Sequence, residues 1–446
     1  MPCPSALQTG APSWQHPLPS LASAWSLLRL GDHGSNTAGI AAAAPDMRAA
    51  TQTLLTAAAV RTRAAEMLDH ALAGRLTAFA VDMDRLPRTA DAVVETIRAQ
   101  YPDLAIPFHA RWRHFVFGGT DLWAGPAAGI ADPAERARVA FDLVIPSVLL
   151  DAGAGMGWRY RDPSTGIVAS RSEGLALASF RMFESGAFSA RLNQPLRADS
   201  ARLTLMRPED IAAGFQAGTE NPLVGVEGRA SLLNALGRAV QALPGARPGG
   251  LYDLLALTAG GRPLPAPAIL AAVLAHFGQI WPGRINLDGV SLGDTWRHPL
   301  ITGDDPAIAG LVPFHKLSQW LSYSLIEPLQ TAGVAVTEID GLTGLPEYRN
   351  GGLFIDSGVL RLKNLADAGA AHAVDSLLVV EWRALTVALL DAIAPLVRER
   401  LGVAAADFPL ARVLEGGTWA TGRRLAAALR PDGGPPLRVV SDGTVF

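Results

Sequence analysis

Apolar residues recur at helical spacing through most of this chain, yet no apolar run reaches the roughly 18 residues that a membrane-spanning helix needs. Much of the apolar content is alanine, which lets helices pack closely. The pattern predicts a mainly α protein: one compact helical domain over residues 46–446, with a few short strands. The 446 residues are 49% hydrophobic, ample material for a core. The charged share, 18%, lies below the roughly 25% usual in soluble domains.

Residues 1–45 break the pattern. They are rich in Pro, Gly and Ser, lack periodicity, and read as a disordered or non-core extension outside the domain. They also lack the basic start and sustained apolar segment of a secretory signal. Cys3, the single cysteine, lies there, so the sequence offers no disulfide framework within the chain and no cysteine metal site. These features point to the cytoplasm. A net charge of -3 and a pI near 6.3, without a basic stripe, argue against nucleic acid as a partner.

Arginine supplies nearly all the positive charge: among 38 basic residues, Lys316 and Lys363 are the two lysines. Codon bias from a GC-rich genome explains the trend. A lysine that survives it is a candidate for chemistry, because an amine can shuttle a proton near neutral pH and a guanidinium cannot. Lys363, in RLKN, reads as surface. Lys316 lies in a helix expected over Pro313–Leu329, where Lys316, Trp320, Tyr323 and Glu327 share one face beside an apolar stripe of Phe314, Leu317, Leu321 and Leu325. Such a lysine is either a partly buried amine or a snorkelling one with its head in water.

The stretch IDGLTGLPEYRNGGLF, 339–354, places Thr343, Gly344 and Pro346 in a tight turn. Pro346 suits the first helical position, which puts Glu347 in the first turn, where the helix dipole favours an ionised carboxylate. A plain capping role, with Arg349 a surface ion-pair partner, fits equally. Gly351 and Gly352 permit close backbone approach to a ligand. Gly416, Gly417 and Thr418 precede an expected helix carrying Arg423 and Arg424, and backbone N–H groups at such a start can hold a phosphate. Arg159, Arg161 and Arg171 form either a second phosphate clamp or a solvated basic loop. Ser170 and Glu173 fit a capping box for a helix through Phe183. Further helices are expected at Pro133–Leu150, Glu227–Ala242 and Leu377–Leu401, and the tail PPLRVVSDGTVF has β-like residues around a turn. His109 and His114 have no third ligand nearby, so no metal is assigned. The loop DAGAGMGW lacks the third glycine of a dinucleotide fingerprint, and no redox cofactor is expected.

Long motifs carry a resemblance. HFVFGGTDLW (114–123), RSEGLALAS (171–179), NPLVGVEGRA (221–230), VPFHKLSQWLSYSLIEPL (312–329), DGLTGLPEYRNGGLF (340–354), VVEWRALTVALLD (379–391), LEGGTW (414–419) and SDGTVF (441–446) resemble the uracil-catabolism protein family of fungi and bacteria, long filed as a domain of unknown function. A more distant resemblance is to queuosine salvage proteins, which are nucleoside 5′-phosphate N-glycosylases. Their K-R-A-Q, L-T-x-x-A-D-Y-R and E-x-E-I-R stretches are similar to the segments here that begin at Lys316, Leu342 and Val379, in the same order. PLVGVEGRASLLNALG, 222–237, resembles a further motif of those proteins.

The resemblance implies a helical fold like that of helix-hairpin-helix DNA glycosylases, and a lysine and a carboxylate, here Lys316 and Glu347, as catalytic residues. Glu stands where that family has Asp, one methylene longer. The pathway implies hydrolysis of the N-ribosidic bond of a ring-opened uracil nucleotide such as N-ribosylurea 5′-phosphate, giving urea and ribose 5-phosphate. Arg349, Asp340, Tyr323, Trp320, His114, Phe117, Asp121, Glu227, Gly416, Gly417 and Thr418 are the expected substrate-binding residues. The expected partners are a small-molecule ribosyl phosphate and, within the pathway, the ring-opening enzyme. An amidohydrolase or deaminase acting on the opened ring, and a non-catalytic partner subunit of the ring-opening enzyme, are the alternatives.

Overall fold

A helix that is apolar all round belongs inside a protein, and LLVVEWRALTVALLDAIAPLVRERL is such a sequence. In the computed structural model it forms a helix over Leu377–Leu401, buried along most of its length, against which helices Ala57–Leu72, Leu86–Gln100 and Tyr348–Asp356 pack. The structure describes residues 47–151, 153–155, 157–281, 285–303 and 305–440. The expected extension over 1–45 lies outside the described residues, as does the SDGTVF motif. The described residues form one compact unit.

The few polar groups of this central helix are tied down. Glu381 accepts hydrogen bonds from the backbone N–H groups of Thr77 and Ala78, each at 3.0 Å, and from the Thr77 hydroxyl at 2.9 Å. Arg383 forks onto Asp294, both N···O distances being 2.8 Å. An unpaired charge at either position would cost several kcal/mol, roughly 3–5 for a broken buried pair.

The architecture is mainly α. Its strands are two or three residues long and join only in pairs among the described residues. Phe79–Val81 runs antiparallel to Leu360–Leu362, and Thr295–Arg297 antiparallel to Leu311–Pro313. The tail strand Arg438–Val440 pairs in parallel with Ala371–Ala373, in accord with its β-like composition. No helix among the described residues is long and apolar enough to cross a membrane.

Several expected boundaries shift for local reasons. The stretch 47–76, alanine-rich with apolar residues at helical spacing, is two helices, Met47–Thr53 and Ala57–Leu72, because the Thr56 side chain caps the second by accepting from the Ala59 N–H at 3.1 Å. The lysine helix runs Lys316–Thr331 rather than from Pro313, which belongs to a strand. His315, in the left-handed region at φ 48°, makes the turn between them. The expected capping box at Ser170 does not form: its side chain makes no capping bond, and Glu173 instead pairs with Arg423 at 3.1 Å. The helix it was to open is present, Arg171–Glu184.

A cavity with a lysine and a glutamate

A cavity of about 600 Å³ opens between the lysine helix, the start of the Tyr348–Asp356 helix, the Asp151–Gly155 loop, the Arg171 helix start and the segment Arg430–Val439. Lys316 and Glu347 both line it, so the structure brings together the two residues that the sequence singled out.

Lys316 stands in the first turn of its helix. Its backbone N–H donates to the Asp294 carboxylate at 3.0 Å, and Trp296 Nε1 donates to the same group at 2.7 Å. Burial works to raise the Asp294 carboxyl, but the Arg383 guanidinium and these bonds hold it well below the usual carboxylate range. The resulting anion sits where the positive end of the helix dipole favours it. Burial, reinforced by Arg383, draws the Lys316 amine down to about 8, against the opposing pull of Asp294, Glu347 and Asp151. A lysine at that value can hold or release a proton near neutral pH.

Glu347 is the helix cap itself, one position before the first turn expected for it. Its two oxygens accept from the backbone N–H groups of Arg349 at 2.8 Å and Asn350 at 2.5 Å. Capping and lining the cavity are compatible, since a carboxylate has lone pairs beyond those two bonds. Asn350 Nδ2 donates to the Leu345 carbonyl at 3.2 Å, and Thr418 Oγ1 donates to Asn350 Oδ1 at 2.8 Å, so the loop before the cap is pinned from both sides.

Trp320, His114 and Arg349, three of the residues expected to bind substrate, also line the cavity. Arg349 is buried, its guanidinium 4.9 Å from the Trp419 ring centre and 5.2 Å from that of Tyr348. It is no surface ion-pair partner. Burial, with Arg111 and other nearby cations, drives His114 well below the ordinary histidine value, so its ring is neutral. Its Nδ1 is buried without a hydrogen-bond partner among the described residues.

Other expected binding residues lie elsewhere. Tyr323 shares the face of Lys316 but is fully buried, its hydroxyl donating to the Thr343 carbonyl at 3.0 Å. Asp340 accepts from Arg398 at 2.6 Å and from the Leu410 N–H at 2.5 Å, away from the cavity. Glu327, at the far end of the lysine helix, pairs with Arg113 at 2.6 Å, and Asp121 is exposed beside that pair in a separate small hollow. Phe117 lies in the short hairpin Val116–Phe117 with Thr120–Asp121, and Glu227 is exposed in the first turn of Val226–Ala239.

Gly416, Gly417 and Thr418 do not open a helix. They are buried in a π-type turn, Leu414–Thr418, continuous with the helix Trp419–Leu429, so their N–H groups are not presented to a phosphate. A side-chain carbon on Gly416 would lie 2.5 Å from Ile106, and one on Gly417 2.6 Å from Val93: these glycines serve helix packing. The same holds for Gly351, where a Cβ would meet the Trp382 ring at 2.6 Å rather than a ligand.

The cavity contains groups that the sequence did not rank. His109 Nδ1 lies 2.7 Å from a Glu415 carboxylate oxygen, and its ring faces the cavity beside Trp320 and Trp419. The π-type turn carries Glu415, which inserts one extra residue at that point and turns the carboxylate toward His109. Asp151, raised by burial against the pull of Arg111, sits across the cavity, its carboxylate 2.7 Å from the Arg111 guanidinium. The tail wall, with Asp432, Leu437 and Arg438, had no local signal. His109 was visible only as half of a histidine pair, and Glu415 and Trp419 only as parts of LEGGTW. Among the described residues no group of three or more His, Cys, Asp or Glu comes together in a way that could hold a metal ion.

The fold and cavity define a mainly helical protein with a half-buried lysine, a helix-capping glutamate and a carboxylate-held histidine around one arginine-rich chamber. The chain belongs to the uracil-catabolism protein family. Residues 53–446 match the family model described as a protein of unknown function, DUF1688. It is 39% identical over 403 residues to "Protein urg3" of Schizosaccharomyces pombe, covering 88% of this chain and 98% of that one. It is 38% identical over 409 residues to "Uracil catabolism protein 4" of Lachancea kluyveri, covering 82% of this chain and 92% of that one.

Proposed function

We propose that this protein acts in uracil catabolism as an N-glycosidase, hydrolysing the N-ribosidic bond of a ring-opened uracil nucleotide, most simply N-ribosylurea 5′-phosphate. The observation that carries the reading is the meeting of Lys316 and Glu347 in one cavity. The resemblance of their motifs to those of queuosine salvage proteins, read from the sequence alone, and the name of the Lachancea kluyveri relative support it.

Water adds to the anomeric carbon while the bond from that carbon to the urea nitrogen breaks. The bonding pair leaves with nitrogen, which takes up a proton, and the water loses one. Positive charge builds on the sugar. Glu347, held by two backbone N–H bonds, needs no reorganisation to face that charge or to position the water. Lys316, drawn to about 8, supplies the proton to the leaving nitrogen. His109, oriented by Glu415, is placed to relay the proton lost by water. Trp320 and Trp419 present aromatic faces to the substrate and exclude solvent.

The test is a product assay with purified protein and N-ribosylurea 5′-phosphate, following urea and reducing sugar, beside Glu347→Gln. Urea and ribose 5-phosphate from the wild type, lost in the variant, is the expected result. Ammonia with an intact ribosyl bond would instead indicate an amidohydrolase. Turnover that is absent, or equal in the variant, would overturn the N-glycosidase reading.

A further inference from the structure

Beside the main cavity lies a second hollow of about 380 Å³, walled by Arg159, Arg171, Arg349, Arg423 and Glu173 among others. Arg171, Glu173 and Arg349 belong to both spaces, so the two are continuous. Four arginines and one acidic residue therefore line it, and that residue, Glu173, is engaged by Arg423 at 3.1 Å.

The arrangement holds like charges close. Arg349 and Arg423 both approach the Trp419 ring, at 4.9 and 5.7 Å from its centre. Arg349 is only 6% exposed and makes no ion pair among the described residues. A buried cation without a counter-charge is costly unless an anion completes it. Arg171, a non-glycine residue at φ 53°, is held in the left-handed region at the mouth, an unfavourable backbone state of the kind retained at ligand clamps.

We propose that this hollow is a phosphate seat: a phosphomonoester dianion binds between Arg171 and Arg349, with Arg159 and Arg423 at its rim, while the rest of the ligand extends toward Lys316 and Glu347. A phosphate fits better than a carboxylate. It carries up to two charges against the excess of guanidinium, and its three terminal oxygens accept forked bonds from several directions, where a carboxylate offers a single edge. Arg349 lies two residues beyond Glu347 on the same helix start, so seating the phosphate also steadies the carboxylate. The inference rests on the proposed function only for the identity of the ester; the anion site stands whichever bond is cut.

Calorimetric titration tests it without turnover. Wild-type protein should bind ribose 5-phosphate at least tenfold more tightly than ribose, and more tightly than riburonate, which carries a carboxylate at the C5 end instead. Arg171→Gln and Arg159→Gln, at side chains that are not buried, should each weaken ribose 5-phosphate binding by about 10- to 100-fold in protein that still unfolds cooperatively. Equal affinity for ribose and its phosphate, equal affinity for riburonate, or full affinity in both variants would overturn the proposal. A protein that binds the phosphate tightly yet releases no urea would keep this site and lose only the proposed reaction.

Discussion

Gln319 and Thr343 are bonded to each other twice. Gln319 Nε2 donates to Thr343 Oγ1 at 2.5 Å, and the Thr343 N–H donates to Gln319 Oε1 at 2.8 Å. Gln319 sits one turn along the helix from Lys316, and Thr343 begins the loop that delivers Glu347. This pair fixes the lysine helix to the glutamate loop.

Gln319→Leu removes both bonds and leaves the buried Thr343 N–H without its partner. A loss on the order of 1–3 kcal/mol is expected, read as a lower denaturant midpoint, with kcat falling further than the stability loss explains. An unchanged midpoint would mean that other contacts hold the loop.

The Lys316 amine lies near 8 in the folded protein, against an ordinary 10.5. Between these values the unfolded chain keeps a proton that the folded chain has released, so stability rises with pH across that window. The contribution is fully present above 10.5 and lost as pH falls through 8; it reaches on the order of 3 kcal/mol. Unfolding free energies at pH 7.5 and pH 10 should show this gain in the wild type and its absence in Lys316→Met. If the ammonium form donates the proton, kcat declines above about pH 8.

Glu347 has two duties that substitutions separate. Glu347→Asp retains a good helix cap but withdraws the carboxylate by one methylene. Stability should stay within about 0.5 kcal/mol of wild type while turnover of the proposed substrate drops. Glu347→Gln replaces one accepting oxygen by a donor facing backbone N–H groups, so it should cost about 1 kcal/mol and turnover together. Equal turnover in the Asp variant would assign Glu347 to capping alone.

Much of this arrangement was legible in the sequence because it rests on local pattern. Period and composition gave the central helix Leu377–Leu401 to the residue, and arginine bias made Lys316 conspicuous. What stayed hidden depends on distant partners. Tyr323 sits on the right helical face, but Thr343 claims its hydroxyl. The glycines of LEGGTW read like a helix start, yet the helix passes straight through them because Ile106 and Val93 leave no room for side chains. The tail strand lines the cavity only because Ala371–Ala373 is there to pair with it, and no spacing rule links those segments.

His109 and Glu415 are 306 residues apart in sequence and 2.7 Å apart in the fold. If His109 relays a proton, His109→Gln should lower kcat by roughly 10² to 10⁴ with little change in KM. Glu415→Gln should lower kcat less, since the ring keeps its place but loses its carboxylate. Two variants with wild-type kcat would reduce the pair to packing.

The walls of the chamber come from separated stretches, from His109 through Asp151, Arg171, Lys316 and Glu347 to Val439. Closing so many long loops is slow and must be nearly complete before any of these groups meet. Ligand binding is therefore a reporter of global folding: on refolding from denaturant it should return in the last kinetic phase, and on heating it should vanish with the main cooperative transition rather than before it.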